Sequence, residues 1–323
     1  MVSNPSVLHV LLRAYQVGQQ VWPEHSSPYS RKDFTQAQLF ACLAGRERLG
    51  LSYRRAEAFF RDVPDWLEQI EMTRPPDHNT LWRAFEKLLK PGKIQRALDV
   101  LSEADERLNR DLAAKPLSID STCYEDHHRS DHYRRVCDKW RREKTKKKRK
   151  PPGSWGKSVN ASRRRKLRRM PKLTLAIAAA SHRILALKAV LGNGSDIPDL
   201  LPMLAAALQR GKVKTVVADA GYDSEANHEA ARQMMQVRSV IPARIGRPSD
   251  APPTGRYRRL MKQRFKRKAD AKTYGQRAQS ETVNSMMKRN LGDSLRSIKP
   301  ERRKQEMLLK SLVHNIMLEK GRD

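Results

Sequence analysis

The chain has 323 residues, with 66 Lys and Arg against 35 Asp and Glu, for a formal net charge of +31. So large a charge repels itself unless a polyanion neutralises it, which makes nucleic acid the expected partner. No apolar run approaches about 18 residues, no signal peptide opens the chain, and Cys42, Cys123 and Cys137 show no paired spacing, which argues against a membrane protein and a disulfide-stapled secreted one.

The first 115 residues read as helical and mixed in charge. Phe34 to Leu43 sets apolar residues at helical spacing behind Thr35, a good capping residue. Ser52 is a suitable N-cap for a helix over Tyr53 to Phe60, and Asp65 to Leu67 begins a short element. A further helix opens near Pro76 and runs to about Leu89, with Asn79 as its expected cap. Short helices joined by tight turns make either a helix-turn-helix reader of DNA or a packing and dimerisation domain.

From residue 116 the pattern changes. Pro116 to Asp120 is a short apolar run closing on an aspartate. Between Arg134 and Lys172 stand 19 Lys and Arg against only Asp138 and Glu143. The run with Lys146, Lys147, Lys148 and Arg149 has too few apolar residues to fold alone, and with Lys172 it supplies candidate phosphate-binding cations. Trp140 and Trp155 interleave these charges, where they either stack on bases or pack locally. His127, His128, His132 and Cys137 match no closed tetrahedral zinc spacing.

Leu173 to Ala179 and Ile184 to Val190 flank Ser181-His182-Arg183 and predict a hairpin. Asp196 to Gln209 reads as an amphipathic helix with Asp196 near its cap. Lys212 to Asp219 is a β-branched run closing on a second aspartate, with Gly221 permitting a tight turn behind it. A helix follows around Glu225 to Gln236, with Asp223 as an expected cap, then a short strand Ser239 to Pro242. His182, His228 and His314 have no partner at ligand spacing and read as structural.

After a basic linker comes a helix-like stretch with Tyr274, Arg277, Glu281 and Lys288. At about 100° per residue, Arg277, Glu281 and Lys288 fall within roughly 40° of one another, with Tyr274 close by. One face then carries a carboxylate between two cations and beside a phenol, suited to a metal ion and a phosphate held side by side. A carboxylate at the end of an apolar strand is costly unless paired or bound to a cation. Asp120, Asp219 and Glu281 would bring three oxygen donors to one point, the chemistry that Mg²⁺ and Mn²⁺ prefer. The element order, β-β-β-α-β-α-β-α, is that of a ribonuclease-H-like core. The expected class is α/β, a mixed sheet flanked by helices behind an all-α N-terminal domain.

Those motifs resemble bacterial insertion-sequence transposases with a DDE domain, of the insertion-sequence-4/5 superfamily. The resemblance rests on Ile119-Asp120-Ser-Thr122, Pro171-Lys172-Leu-Thr-Leu175, Gly194-Ser-Asp196, Ala218-Asp219-Ala-Gly-Tyr222-Asp223, the Tyr274–Glu281 and Lys288–Gly292 segments, and Leu312-Val-His314-Asn315. It implies a catalytic domain over residues 116–323, with a basic insertion at about 134–172, behind a helical domain over 1–115. It also implies a cytoplasmic, nucleoid-associated homodimer that binds terminal inverted repeats and target DNA. Asp120, Asp219 and Glu281 would hold two Mg²⁺ or Mn²⁺ ions, and Tyr274, Arg277 and Lys288 would grip phosphates near the cut. A nuclease without strand transfer and a non-catalytic DNA-binding derivative are the other classes. The step from Asp219 to Glu281 leaves little room for the inserted β-domain that some relatives carry.

Overall fold

The computed structural model describes residues 5–126, 170–192, 194–244 and 253–319. Lys146, Lys147, Lys148, Arg149, Trp140, Trp155, His127, His128, His132 and Cys137 lie outside the described residues. Seven helices come first: α1 (Val7–Val21), α2 (Gln36–Leu49), α3 (Tyr53–Asp62), α4 (Pro64–Glu68), α5 (His78–Leu88), α6 (Pro91–Glu103) and α7 (Leu108–Ala114). Thr35 opens α2 as expected: its hydroxyl accepts from the Gln38 N–H at 3.2 Å, while the Gln38 side chain accepts from the Thr35 N–H at 2.8 Å. Ser52 caps α3. The cap of α5 is Asp77 and not Asn79; the Asp77 carboxylate accepts from the N–H groups of Asn79 and Thr80, at 2.8 and 2.9 Å. A negative carboxylate at a helix N-terminus also meets the favourable end of the dipole. Helices α1 and α2 lie close enough that a Cβ on Gly18 would sit 2.8 Å from the Ala37 Cα.

The strands are β1 (Leu117–Cys123), β2 (Glu125–Asp126), β3 (Pro171–Ala178), β4 (Ile184–Leu191), β5 (Thr215–Ala218), β6 (Arg238–Val240) and β7 (Ser294–Leu295). Five of them form one mixed sheet in the order β4-β3-β1-β5-β6. Strand β3 runs antiparallel to β1 and β4, whereas β5 runs parallel to β1 and β6. Strands β2 and β7 pair separately. This is the ribonuclease-H-like mixed sheet flanked by helices. The later helices are α8 (Leu200–Leu208), α9 (Glu225–Glu229), α10 (Arg256–Lys266), α11 (Ala271–Gly275), α12 (Ala278–Leu291) and α13 (Pro300–Leu318).

Four further local expectations are corrected. Strand β1 does not close on Asp120 but continues to Cys123, because β3 pairs with it along its whole length. The helix expected from Asp196 begins as a 3₁₀ turn, Ile197–Asp199, and Asp196 turns its side chain to other partners instead of capping. Ser224, not Asp223, caps α9; Asp223 is buried and bonds Arg258 and the Arg244 N–H. The stretch from Tyr274 to Lys288 is two helices, broken at Gln276 and Arg277, whose N–H groups reach back only three residues.

Strand β3 is buried along both faces, and its two-residue period divides the core. Leu173, Leu175 and Ile177 join a cluster with the N-terminal helices, α12 and α13. Ala176 and Ala178 face the other way, into a cluster with α7 and α8. Helix α13 is buried over most of its length, against α1, α2, α5, α6 and the β3–β4 edge. Asn315 pairs with both the N–H and the C=O of Ile184, at 2.8 and 2.7 Å. Burial pushes His314 down to about 4, so it is neutral near pH 7.

Lys310 on α13 donates to the Leu291 carbonyl at the end of α12 and pairs with Glu47 of α2 at 2.9 Å. Burial opposes ionisation of Glu47, but the adjoining Lys310 and Arg46 outweigh it and hold the carboxyl below its ordinary range. Lys310→Met leaves Glu47 buried without that cation, and a loss of about 3–5 kcal/mol is expected in urea unfolding. The double change Glu47→Gln with Lys310→Met is expected to recover part of it; a fully additive double would show that the two groups do not interact.

Candidate active site

Parallel pairing of β1 and β5 places Ile119 opposite Ala218. The next residues along are Asp120, within β1, and Asp219, just past β5, so the register alone brings two carboxylates to the end of the β1–β5 pairing. Helix α12 packs across β1. Its Ser280 hydroxyl and Asn284 amide lie 3.4 and 3.5 Å from an Asp120 oxygen, and Glu281 stands between them in sequence. Asp219 accepts from the Gly221 N–H at 2.7 Å. A Cβ on Gly221 would lie 2.8 Å from that same oxygen, so a side chain there would push the Asp219 carboxylate from this position.

Burial pushes the Asp120 carboxyl up to about 6, and the negative charges of Asp219 and Glu281 add to that rise; the Ser121 N–H and Arg277 act in the opposite direction. Glu281 is half exposed and takes a hydrogen bond from Arg277 at 2.5 Å. Tyr274 packs edge-on against Phe265, with ring centroids 5.0 Å apart, and burial raises its phenol while the Arg277 charge lowers it. Lys288 sits 5.7 Å from the Tyr124 ring centroid. An open groove of about 500 Å³ runs past Glu281, Asn284, Ser285, Lys288, Arg289 and Asp293. The structure thus sets Asp120 and Asp219 side by side, with Tyr274 and Arg277 nearby, Glu281 turned onto Arg277, and Lys288 further along α12.

Lys172 takes a different place from the one expected of a DNA-binding cation. Its side chain is 2% exposed, with the ammonium 2.9 Å from Asp196 and 3.1 Å from Asp199. The cause is register: Lys172 lies on β3 opposite Cys123, inside the sheet rather than on the preceding basic run. Around it is a polar network with no role assigned from the sequence. The Ser121 hydroxyl lies 2.7 Å from the Tyr222 hydroxyl and 2.9 Å from that of Thr174, and donates to Asp196 at 3.1 Å. Ser121 follows Asp120 and Tyr222 follows Gly221, so this bond ties the segment behind one aspartate to the segment behind the other. The available signals were adjacency, Ser121 beside Asp120, and helical spacing, Asn284 one turn beyond Glu281.

Asp223 is buried and paired with Arg258 and His228. Among the described residues, no three His, Cys, Asp or Glu side chains are gathered closely enough to hold a metal as they stand. The donor set nevertheless fits a divalent cation. Asp120 and Asp219 offer hard oxygen donors, and burial disfavours the charged form of Asp120, which a bound cation would favour.

A family model described as a transposase DDE domain matches residues 114–316, more than half of the chain. The chain belongs to that family. No curated protein and no solved structure matches it. A transposase domain implies DNA as partner, and DNA transposition and recombination as the process. Among the described residues no helix is long and apolar enough to cross a membrane.

Two measurements bear on this site of the transposase. Asp120 is raised above its unfolded value, so its ionisation opposes folding; the penalty is absent below about pH 4 and complete above about pH 6. With a chelator present, Asp120→Asn is expected to raise the thermal midpoint at about pH 8, and the gap to wild type closes as pH falls through 6 towards 4. Lys172→Met takes a cation from Asp196 and Asp199, while Lys188 stays 2.6 Å from Asp199, and is expected to lower stability by at most about 3 kcal/mol. DNA affinity of the folded variant, measured by fluorescence anisotropy, is expected to stay unchanged, since Lys172 does not reach the surface.

Proposed function

We propose that this chain is a cut-and-paste DNA transposase of the insertion-sequence-4/5 superfamily, working on the terminal inverted repeats of its own element. The observation that carries the reading is the convergence of Asp120, Asp219 and the Glu281 helix at the end of the β1–β5 pairing. Asp120, Asp219 and Glu281 would hold Mg²⁺ or Mn²⁺, two ions in the full site. When bound, these ions supply Lewis acidity and an activated water or hydroxyl nucleophile. In the first step the oxygen of water attacks phosphorus and the bond to the 3′ oxygen breaks, leaving a free 3′-hydroxyl and a 5′-phosphate. In the second, that hydroxyl attacks another phosphodiester and a new 3′–5′ link replaces the old one.

The chain's own residues position the DNA for both steps. Arg277 offers a planar fork for a phosphate, Lys288 a point charge, and Tyr274 a hydroxyl. Glu281 must leave Arg277 to join the aspartates, and a phosphate that takes over the guanidinium would release it. Residues 1–115 would read the element ends or make dimer contacts, and residues 116–323 would carry the chemistry. The enzyme would act as a homodimer at the nucleoid, in the cytoplasm.

Glu281→Gln tests the assignment on linear DNA bearing the element's ends, in Mg²⁺ buffer. Cleavage and joining are both expected to vanish while DNA affinity stays within about threefold of wild type, because the change removes a ligand and not a phosphate contact. Residual cutting would show that another acid completes the site. A wild type that cuts but never joins ends would be a nuclease instead.

A further inference from the structure

Helix α10 carries six Lys and Arg in 11 residues and no acid. Like charges three and four residues apart oppose a helix, so this segment needs outside support. The structure shows where that support comes from and how it sorts the cations. Arg258 donates to the buried carboxylate of Asp223 at 2.8 Å. Arg264 reaches the buried Asp270 through two bonds, at 2.6 and 2.8 Å. Glu225 accepts from the N–H groups of Tyr257 and Arg258 at the helix start, at 2.8 and 3.0 Å. Met261 is fully buried beneath. These bonds neutralise the inner arginines and fix which face points outwards.

The outer face holds Arg256, Arg259, Lys262 and Lys266, all exposed and none ion-paired among the described residues. At about 100° per residue they fall within an arc of roughly 120°. From Arg256 to Lys266 the axis rises about 15 Å, and a DNA strand spaces its phosphates about 3.4 Å apart along the duplex, so the row spans about four phosphates. The helix also leads towards the chemistry: Phe265 near its end packs on Tyr274. We propose that this outer face is a phosphate-binding track for duplex DNA flanking the cut, distinct from the grip of Tyr274, Arg277 and Lys288. The proposal rests on the transposase reading and adds to it the path of the flanking duplex.

The test is the salt dependence of binding, measured by fluorescence anisotropy with the full chain and a short duplex of arbitrary sequence. Removing one phosphate-binding cation lowers the slope of log affinity against log salt by about 0.9, so Arg259→Gln with Lys262→Gln is expected to lower it by about 1.8. Lys212→Gln with Lys214→Gln removes the same charge from exposed positions before β5, at the strand end opposite Asp219, and is expected to leave the slope in place. An unchanged slope in the first pair overturns the track, as does an equal fall in both pairs, which would reflect net charge alone. Lys262→Gln by itself, at an exposed side chain, gives the same reading at about half the size if the double variant does not fold. A wild type that binds no duplex at all overturns the transposase reading too, whereas normal wild-type binding with unchanged variants overturns the track only.

Discussion

Everything at the site depends on one pairing, Ile119 against Ala218 in parallel. Parallel neighbours run in the same direction, so the residues next along each lie at the same end of their pairing. Here two acids follow, and holding two like charges together in a partly dry place is unfavourable. The surroundings do not remove that strain but confine it. Ser121 and Tyr222 bond to each other just past the two acids, the Gly221 N–H steadies Asp219, and α12 lays polar side chains over Asp120. The fold thereby stores a demand for positive charge at one point, and this makes the point useful.

Much of the catalytic half can be read from residues alone, because strands announce themselves locally. The β-branched run before Asp219 and the apolar runs about His182 are β5, β3 and β4. Asp120 and Asp219 stand out because an acid ending such a run needs a reason. Lys172 misleads: seventeen of the 19 cations of its stretch precede residue 169, and composition groups it with them, whereas pairing with β1 takes it inside. The break at Gln276 is equally hidden, since an ideal helical period carries no sign of where a turn tightens. Ser121, Tyr222 and Asp196 meet only through bonds between residues 75 to 101 apart, and such distances have no local signature.

Charge tells a similar story at a larger scale. A net +31 says that the molecule seeks a polyanion but not which cations do so. Some are committed internally, such as Lys172, Lys310, Arg258 and Arg264, each set against a buried carboxylate. Their work is structural, and a stronger salt solution would reach them little, since buried pairs are poorly screened. The exposed remainder is free to answer to ionic strength. Two proteins of identical composition could divide their cations differently and bind DNA with quite different salt sensitivity.

The placement of α13 has a consequence for how the molecule is made. Among the described elements this helix comes after all the others in sequence, yet it lies against α1, α2, α5 and α6 and completes the cover over β3 and β4. During synthesis those surfaces emerge long before the segment that closes them. Leu173, Leu175, Ile177 and the inner sides of the early helices must wait, partly bare, until Pro300–Leu318 has left the ribosome. The core therefore closes late, and nascent chains held short of that point are natural clients for chaperones.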